Sequence, residues 1–277
     1  AYKTPGQTKM ESIVVPKRAF SDWWEETRTQ FTNNPPPLIG RIKLPPRIHP
    51  PGCQRAWWLM ANTPLPPVPR SGHTLVWTGA EMVVWGGSDW TSGAYLDTGS
   101  RYNPTLNSWR ETVIAPLSAR ASHTAVWLPA EGKMMVWGGV GTGGPLSDGL
   151  LYDPVQNLWG VVGAAGLPPG YQRSQHTAVV FAGASSRAVI WGGTNNSASP
   201  TGRLNTGAVY DALSDSWTAM DLSANINNGG RVEHTAVAAP NSGPFGENLM
   251  IVWGGAPGSK FFPYSAGGAR CNIDAPP

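Results

Sequence analysis

At 277 residues the chain fits one large all-β domain or two ordinary domains, and no run approaches the ~20 apolar residues that cross a bilayer as a helix. Only 13% of residues are charged, whereas Gly 34, Pro 27 and Trp 14 are abundant; many turns and large rings packed between layers disfavour a helical protein. The net charge of +3 is divided unevenly: residues 1–69 hold nine Lys/Arg against four Asp/Glu, a net of +5, and residues 70–277 hold eleven against thirteen, a net of −2.

Residues 1–52 form a basic, proline-rich arm of low regularity. Such a tail either stays solvated or docks on an acidic surface. Phe20–Phe31 predicts a short helix, with Ser21 as N-cap and Trp24, Arg28 and Phe31 along one face. Pro35–Pro37 and Pro45–Pro46 favour extended backbone around it. Trp23, Trp24 and Phe31 are costly to leave in water, so the arm is expected to pack on its own domain or on another subunit. Nucleic acid is a weaker expectation, because only the basic arm speaks for it.

From residue 53 to 277 the chain repeats itself. The first repeat reads Arg70-Ser-Gly-His73-Thr74, Met82-Val-Val-Trp85-Gly86-Gly87, Tyr102-Asn-Pro and Trp109. The second reads Arg120-Ala-Ser-His123-Thr124, Met134-Met-Val-Trp137-Gly138-Gly139, Tyr152-Asp-Pro and Trp159. The third carries Arg173, His176, Trp191-Gly192-Gly193, Tyr210-Asp211 and Trp217, and the fourth Arg231, His234 and Trp253-Gly254-Gly255. Successive histidines are 50, 53 and 58 residues apart, and each repeat reads as four short strands joined by turns.

These motifs, recurring four times in one order, resemble the kelch family in its bacterial form, with R-x-x-H-T, V-W-G-G and Y-[DN]-P…W. The resemblance covers about residues 55–271 and implies an all-β, kelch-type β-propeller, each repeat a four-stranded blade. It also implies that the double glycine ends the second strand where blades pack closely, and that the outer-strand Trp fills space between blades. Relatives in that family include a copper-radical oxidase and a sialic-acid mutarotase.

The fourth repeat stops before its Trp strand. Cys271, in Gly268-Ala-Arg-Cys271-Asn272, takes the Tyr position of Gly99-Ser-Arg-Tyr102-Asn103. Cys53-Gln-Arg-Ala-Trp57-Trp58 precedes Arg70 at close to the spacing of the other outer-strand Trp residues. An N-terminal strand is therefore expected to complete the last of four blades, and a Cys53–Cys271 disulfide to lock the ring. A disulfide implies the periplasm, the cell surface or the outside, and Ala1 suits signal-peptide cleavage.

His73, His123, His176 and His234 begin the innermost strands and invite a metal-site reading. Each stands beside its repeat's Arg, which favours hydrogen bonding to backbone within its own blade. Arg70, Arg120, Arg173 and Arg231 are read likewise as ties within blades rather than an anion site. No cofactor is expected, and no nucleophile elbow, phosphate loop or zinc-protease motif occurs. The loops after each Gly-Gly vary in length and carry Trp90, Tyr95, Phe261, Phe262 and Tyr264, which suit contact with protein or glycan. The functional expectation is a secreted binding or scaffold subunit of a larger assembly. The alternative is a carbohydrate-binding protein or enzyme with a pocket at the propeller mouth.

Overall fold

The computed structural model describes residues 66–195, 202–220, 230–244, 246–257 and 268–274. The chain divides into two compact units, Ala1–Trp58 and Leu59–Pro277, and the described residues belong to the second. The helix expected over Phe20–Phe31 and the strand expected at Cys53–Trp58 lie outside them.

The described fold is built of antiparallel strands in chain order. β1 (Arg70–Ser71) pairs with β4 (Ser88–Asp89) beside sheet 1, which is formed by β2 (Thr74–Trp77), β3 (Met82–Trp85), β5 (Gly99–Asn103) and β6 (Ser108–Glu111). Sheet 2 contains β7 (Thr124–Leu128), β8 (Lys133–Trp137), β11 (Gly149–Asp153) and β12 (Leu158–Val161), with β9 (Val140–Gly141) and β10 (Gly144–Pro145) as a small ribbon. Sheet 3 runs β13 (Thr177–Phe181), β14 (Arg187–Trp191), β15 (Gly207–Asp211) and β16 (Ser216–Met220). Sheet 4 has β17 (Arg231–Ala239), β18 (Leu249–Pro257) and β19 (Gly268–Asn272). Within each sheet neighbours in sequence are neighbours in space, so each is a meander built from short hairpins.

The core lies between sheets. Met134 and Val136 of β8 join Val76, Val83 and Trp85 of sheet 1, whereas Met135 and Trp137 join Ala188, Ile190 and Trp217 of sheet 3. A period of two thus sends one strand's side chains to two different neighbours, which explains why the second strands are apolar throughout. A third cluster joins Val179, Trp191 and Met220 to Met250 and Val252 of sheet 4. The innermost strands pack in succession, β2 on β7, β7 on β13 and β13 on β17.

No contact of that extent between β17 and β2 is found among the described residues. The faces that it would cover are open: Leu75 and Trp77 on sheet 1, Val237, Ile251 and Trp253 on sheet 4. Trp253 is 61% exposed, against 1% for its counterpart Trp137. β19 has no outer neighbour there.

The expected disulfide is not present, because Cys271 carries a free thiol; Cys53 lies outside the described residues. Burial pushes that thiol up to about 11. In the three four-stranded sheets the residue directly across from the Tyr position is the outer-strand Trp, as in Tyr102 opposite Trp109, Tyr152 opposite Trp159 and Tyr210 opposite Trp217.

The double glycines mark where chain meets chain. Gly138 has φ 61, and a Cβ there would stand 2.7 Å from the Arg173 carbonyl and 2.9 Å from His176 Cε1 of sheet 3. Both neighbours are held by hydrogen bonds and cannot give way. Gly138→Ala is therefore expected to cost at least about 2 kcal/mol in urea unfolding, combining backbone strain with the clash. Gly79→Ala, with φ 98 and open space around the position, carries the strain alone and is the control.

Candidate functional site

The repeated Arg, His and Thr residues form one continuous network. Each guanidinium Nη1 donates to the carbonyl of the first glycine of its own sheet: Arg70 to Gly86 at 3.0 Å, Arg120 to Gly138 at 3.1 Å, Arg173 to Gly192 at 3.2 Å and Arg231 to Gly254 at 3.0 Å. Arg120 also pairs with Asp148 at 2.8 Å. The Arg main chain points the other way. The N–H groups of Gly87, Gly139 and Gly193 donate to the carbonyls of Arg120, Arg173 and Arg231 on the following sheet, each at 2.8 Å. Burial of so many charged donors is tolerable because fixed carbonyls meet them. It still pushes the Arg173 guanidinium down to about 10.

The histidines correct the sequence expectation. They bond between sheets and not to backbone within their own. Nε2 of His123 lies 2.8 Å from Thr74 Oγ1, that of His176 2.8 Å from Thr124 Oγ1, and that of His234 2.9 Å from Thr177 Oγ1. Two of the rings stand edge-on to the second-strand Trp of the preceding sheet: Trp85 meets His123 and Trp191 meets His234, with ring centres 5.2 and 4.8 Å apart. The Thr residues were visible in the motif as the position after His, but the partnership crosses sheets and no local pattern encodes it. His73 is exposed. With Nε2 engaged by threonine in three of the four, the rings are tied to structure, and no group of three His, Cys, Asp or Glu converges among the described residues.

Burial dominates the electrostatics here. It pushes His123 down to about 3 and His234 to about 4, the nearby Arg charges adding to the effect, and holds His176 well below its usual value. These rings are neutral at physiological pH.

Two surfaces remain for contact with other molecules. One is a groove of about 490 Å³ along the innermost strands, lined by apolar groups that include Leu75, Trp77, Trp127 and Val237 and by no titratable side chain. The other is the loop after Gly86-Gly87. Asp89 Oδ1 accepts from the Thr91 and Ser92 N–H groups at 2.8 and 2.7 Å and from Ser92 Oγ at 3.0 Å, while the Trp90 N–H donates to the Pro69 carbonyl. The loop is thereby fixed, and it presents Trp90 at 77% exposure. Tyr95 is half-buried and bridges back to Ser88. Of the other expected contact residues, Trp23, Trp24, Phe31, Phe261, Phe262 and Tyr264 lie outside the described residues.

Successive meander sheets, glycine-lined contacts and tryptophans wedged between neighbours define a kelch-like β-propeller. A family model described as the Attractin/LZTR1 beta-propeller matches residues 53–261, and the chain belongs to that propeller family. No curated protein matches the chain.

Proposed function

We propose that this propeller is a binding or scaffold module that holds a protein partner through the face carrying the loops after each Gly-Gly. Propellers of this family generally mediate protein–protein interaction. The observation that carries the reading is Trp90, a large aromatic side chain held out in solvent by a loop whose own hydrogen bonds prevent it from folding inward. Preorganised exposed aromatics are typical anchors, because little side-chain entropy remains to be lost on binding. The aromatic residues of the arm, Trp23, Trp24 and Phe31, extend the proposal to a second contact region. A secreted location was expected from a Cys53–Cys271 bond, and the free Cys271 thiol withdraws that support.

The test is native mass of the protein purified from its source, with identification of what co-migrates, followed by Trp90→Ala. The expected result is a complex whose affinity falls by at least about tenfold in the variant, as for an interface anchor, with unfolding midpoint unchanged. A monomer of about 29.5 kDa with no protein ligand would overturn the reading. Binding of a glycan at Trp90 in place of protein would move it to the carbohydrate-binding alternative.

A further inference from the structure

Adjoining sheets meet through two unlike half-surfaces, and sheet 2 shows both. Toward sheet 3 it turns Val126, Met135 and Trp137, which share a cluster with that sheet, and Thr124, which bonds His176. Toward sheet 1 it turns Ala125 and Trp127, which share a cluster with that sheet, and His123, which bonds Thr74. Alternation along the strands separates the two sets. A junction is therefore a fit of threonine and an apolar row on one side to histidine and an apolar row on the other.

Sheets 4 and 1 each keep one such half open. On sheet 4 it is Thr235, Val237, Ile251 and Trp253, the counterparts of Thr124, Val126, Met135 and Trp137. Ile251 is 39% exposed, against 1% for Met135, and Val237 and Trp253 are more open still. The Thr235 hydroxyl turns to the Trp253 carbonyl of its own sheet at 3.4 Å. On sheet 1, His73, Leu75 and Trp77 stand where His123, Ala125 and Trp127 stand on sheet 2, and all three are exposed. The three ring-to-threonine contacts leave His73 out. Several large apolar groups open on one face mark a surface that takes a partner.

Within one chain β17 and β2 make no contact of the extent that joins the other innermost strands among the described residues, which leaves both faces to another molecule. Each is nonetheless the other's complement. We propose that sheet 4 of one copy takes sheet 1 of a second copy, in the arrangement that joins sheets 2 and 3 within the chain. The His73 ring then meets the Thr235 hydroxyl, and Leu75 and Trp77 cover Val237, Ile251 and Trp253. A second copy is the occupant because the pattern to be met is the chain's own. A partner of different sequence would have to present a histidine beside an apolar row at the same spacing. Such a contact joins unlike faces head to tail, so it closes into a ring or extends into a chain of copies. Neither Trp90 nor its loop takes part, so the proposal stands apart from the reading of Trp90 as an anchor.

Sedimentation velocity of the full chain between about 1 and 200 µM tests it, with a dissociation constant on the order of 10 µM expected for a weak interface. The mass should rise from 29.5 kDa to at least twice that value as concentration increases. At about 1 µM single chains prevail and Trp253 stays open. Trp253→Glu spoils the sheet 4 face and Trp77→Glu the sheet 1 face, and each alone should weaken association by at least about thirtyfold. A mixture of the two variants should regain it, because an intact sheet 4 face then meets an intact sheet 1 face. His73→Ala should weaken it about fivefold, the weight of one hydrogen bond. Both Trp residues are exposed in the single chain, so unfolding midpoints should barely move. Should either variant fail to fold, Val237→Lys and Leu75→Lys on the same two faces take their places. A mass of 29.5 kDa at every concentration overturns the proposal, whether the faces stay open or the chain itself covers them. So does association that survives either Glu variant, or that the mixture fails to restore, since the contact would then lie elsewhere or pair like faces.

Discussion

Trp137→Ala is expected to lower the free energy of unfolding by about 4 kcal/mol, and Trp253→Ala by less than about 1 kcal/mol, although the two residues hold the same place in their repeats. Trp137 is wholly buried against Trp217, with ring centres 4.3 Å apart, and lies in the cluster that joins sheets 2 and 3. Its indole N–H has no partner, so the loss is one of buried ring area and cavity rather than of a hydrogen bond. Trp253 lies on sheet 4 and is largely exposed, with no sheet packed upon it among the described residues. Urea unfolding of both variants measures the difference. The comparison also reports on closure. If sheet 4 met sheet 1 as sheets 1 and 2 meet, Trp253 would pack on His73 and Trp109 as Trp85 packs on His123 and Trp159. Equal losses would show a closed ring of four blades in solution, and unequal losses an open one.

The second large effect is expected with acid. In the unfolded chain His123, His176 and His234 titrate near 6.5, but in the folded protein burial holds all three lower, two of them at about 3 and about 4. Below pH 6.5 the unfolded chain therefore takes up protons that the folded protein refuses. Stability is complete above that pH and falls as pH drops toward the folded values. Each ring should cost about 1.4 kcal/mol per pH unit in this window, or about 2 kcal/mol by pH 5. The carboxylates of Asp89 and Asp211, held low by backbone hydrogen bonds from Ser92 and Ser214, respond only at lower pH. Urea midpoints at pH 7.5, 6 and 5 should fall steadily, and His176→Gln, which keeps a donor for Thr124, should remove about a third of the fall. A midpoint constant across that range would mean that the rings titrate normally and that the three contacts to threonine are loose in solution.

Much of this was legible along the chain. The four recurrences of Arg, His, Trp-Gly-Gly and Tyr revealed the sheets, because a repeated structural unit needs the same turn and packing residues at the same places. Glycine at 86, 138 and 192 and tryptophan at 159 and 217 could be assigned to contacts between neighbours from size alone. The ties of Arg70, Arg120, Arg173 and Arg231 within their own sheets follow the motif, since each reaches a glycine at a fixed distance along the same repeat.

Partnerships that cross from one sheet to the next were not legible. His123 and Thr74, or Asn157 and Val113, are about fifty residues apart, and nothing in either local pattern states that they meet. Sequence alone determined which strands form and in what order, because period-two burial, turn residues and the repeat are properties of the chain itself. Only the tertiary structure decided which faces are covered, that Trp253 is open while Trp137 is buried, and that Trp90 stands in solvent, because burial depends on the neighbouring sheet and not on the residue.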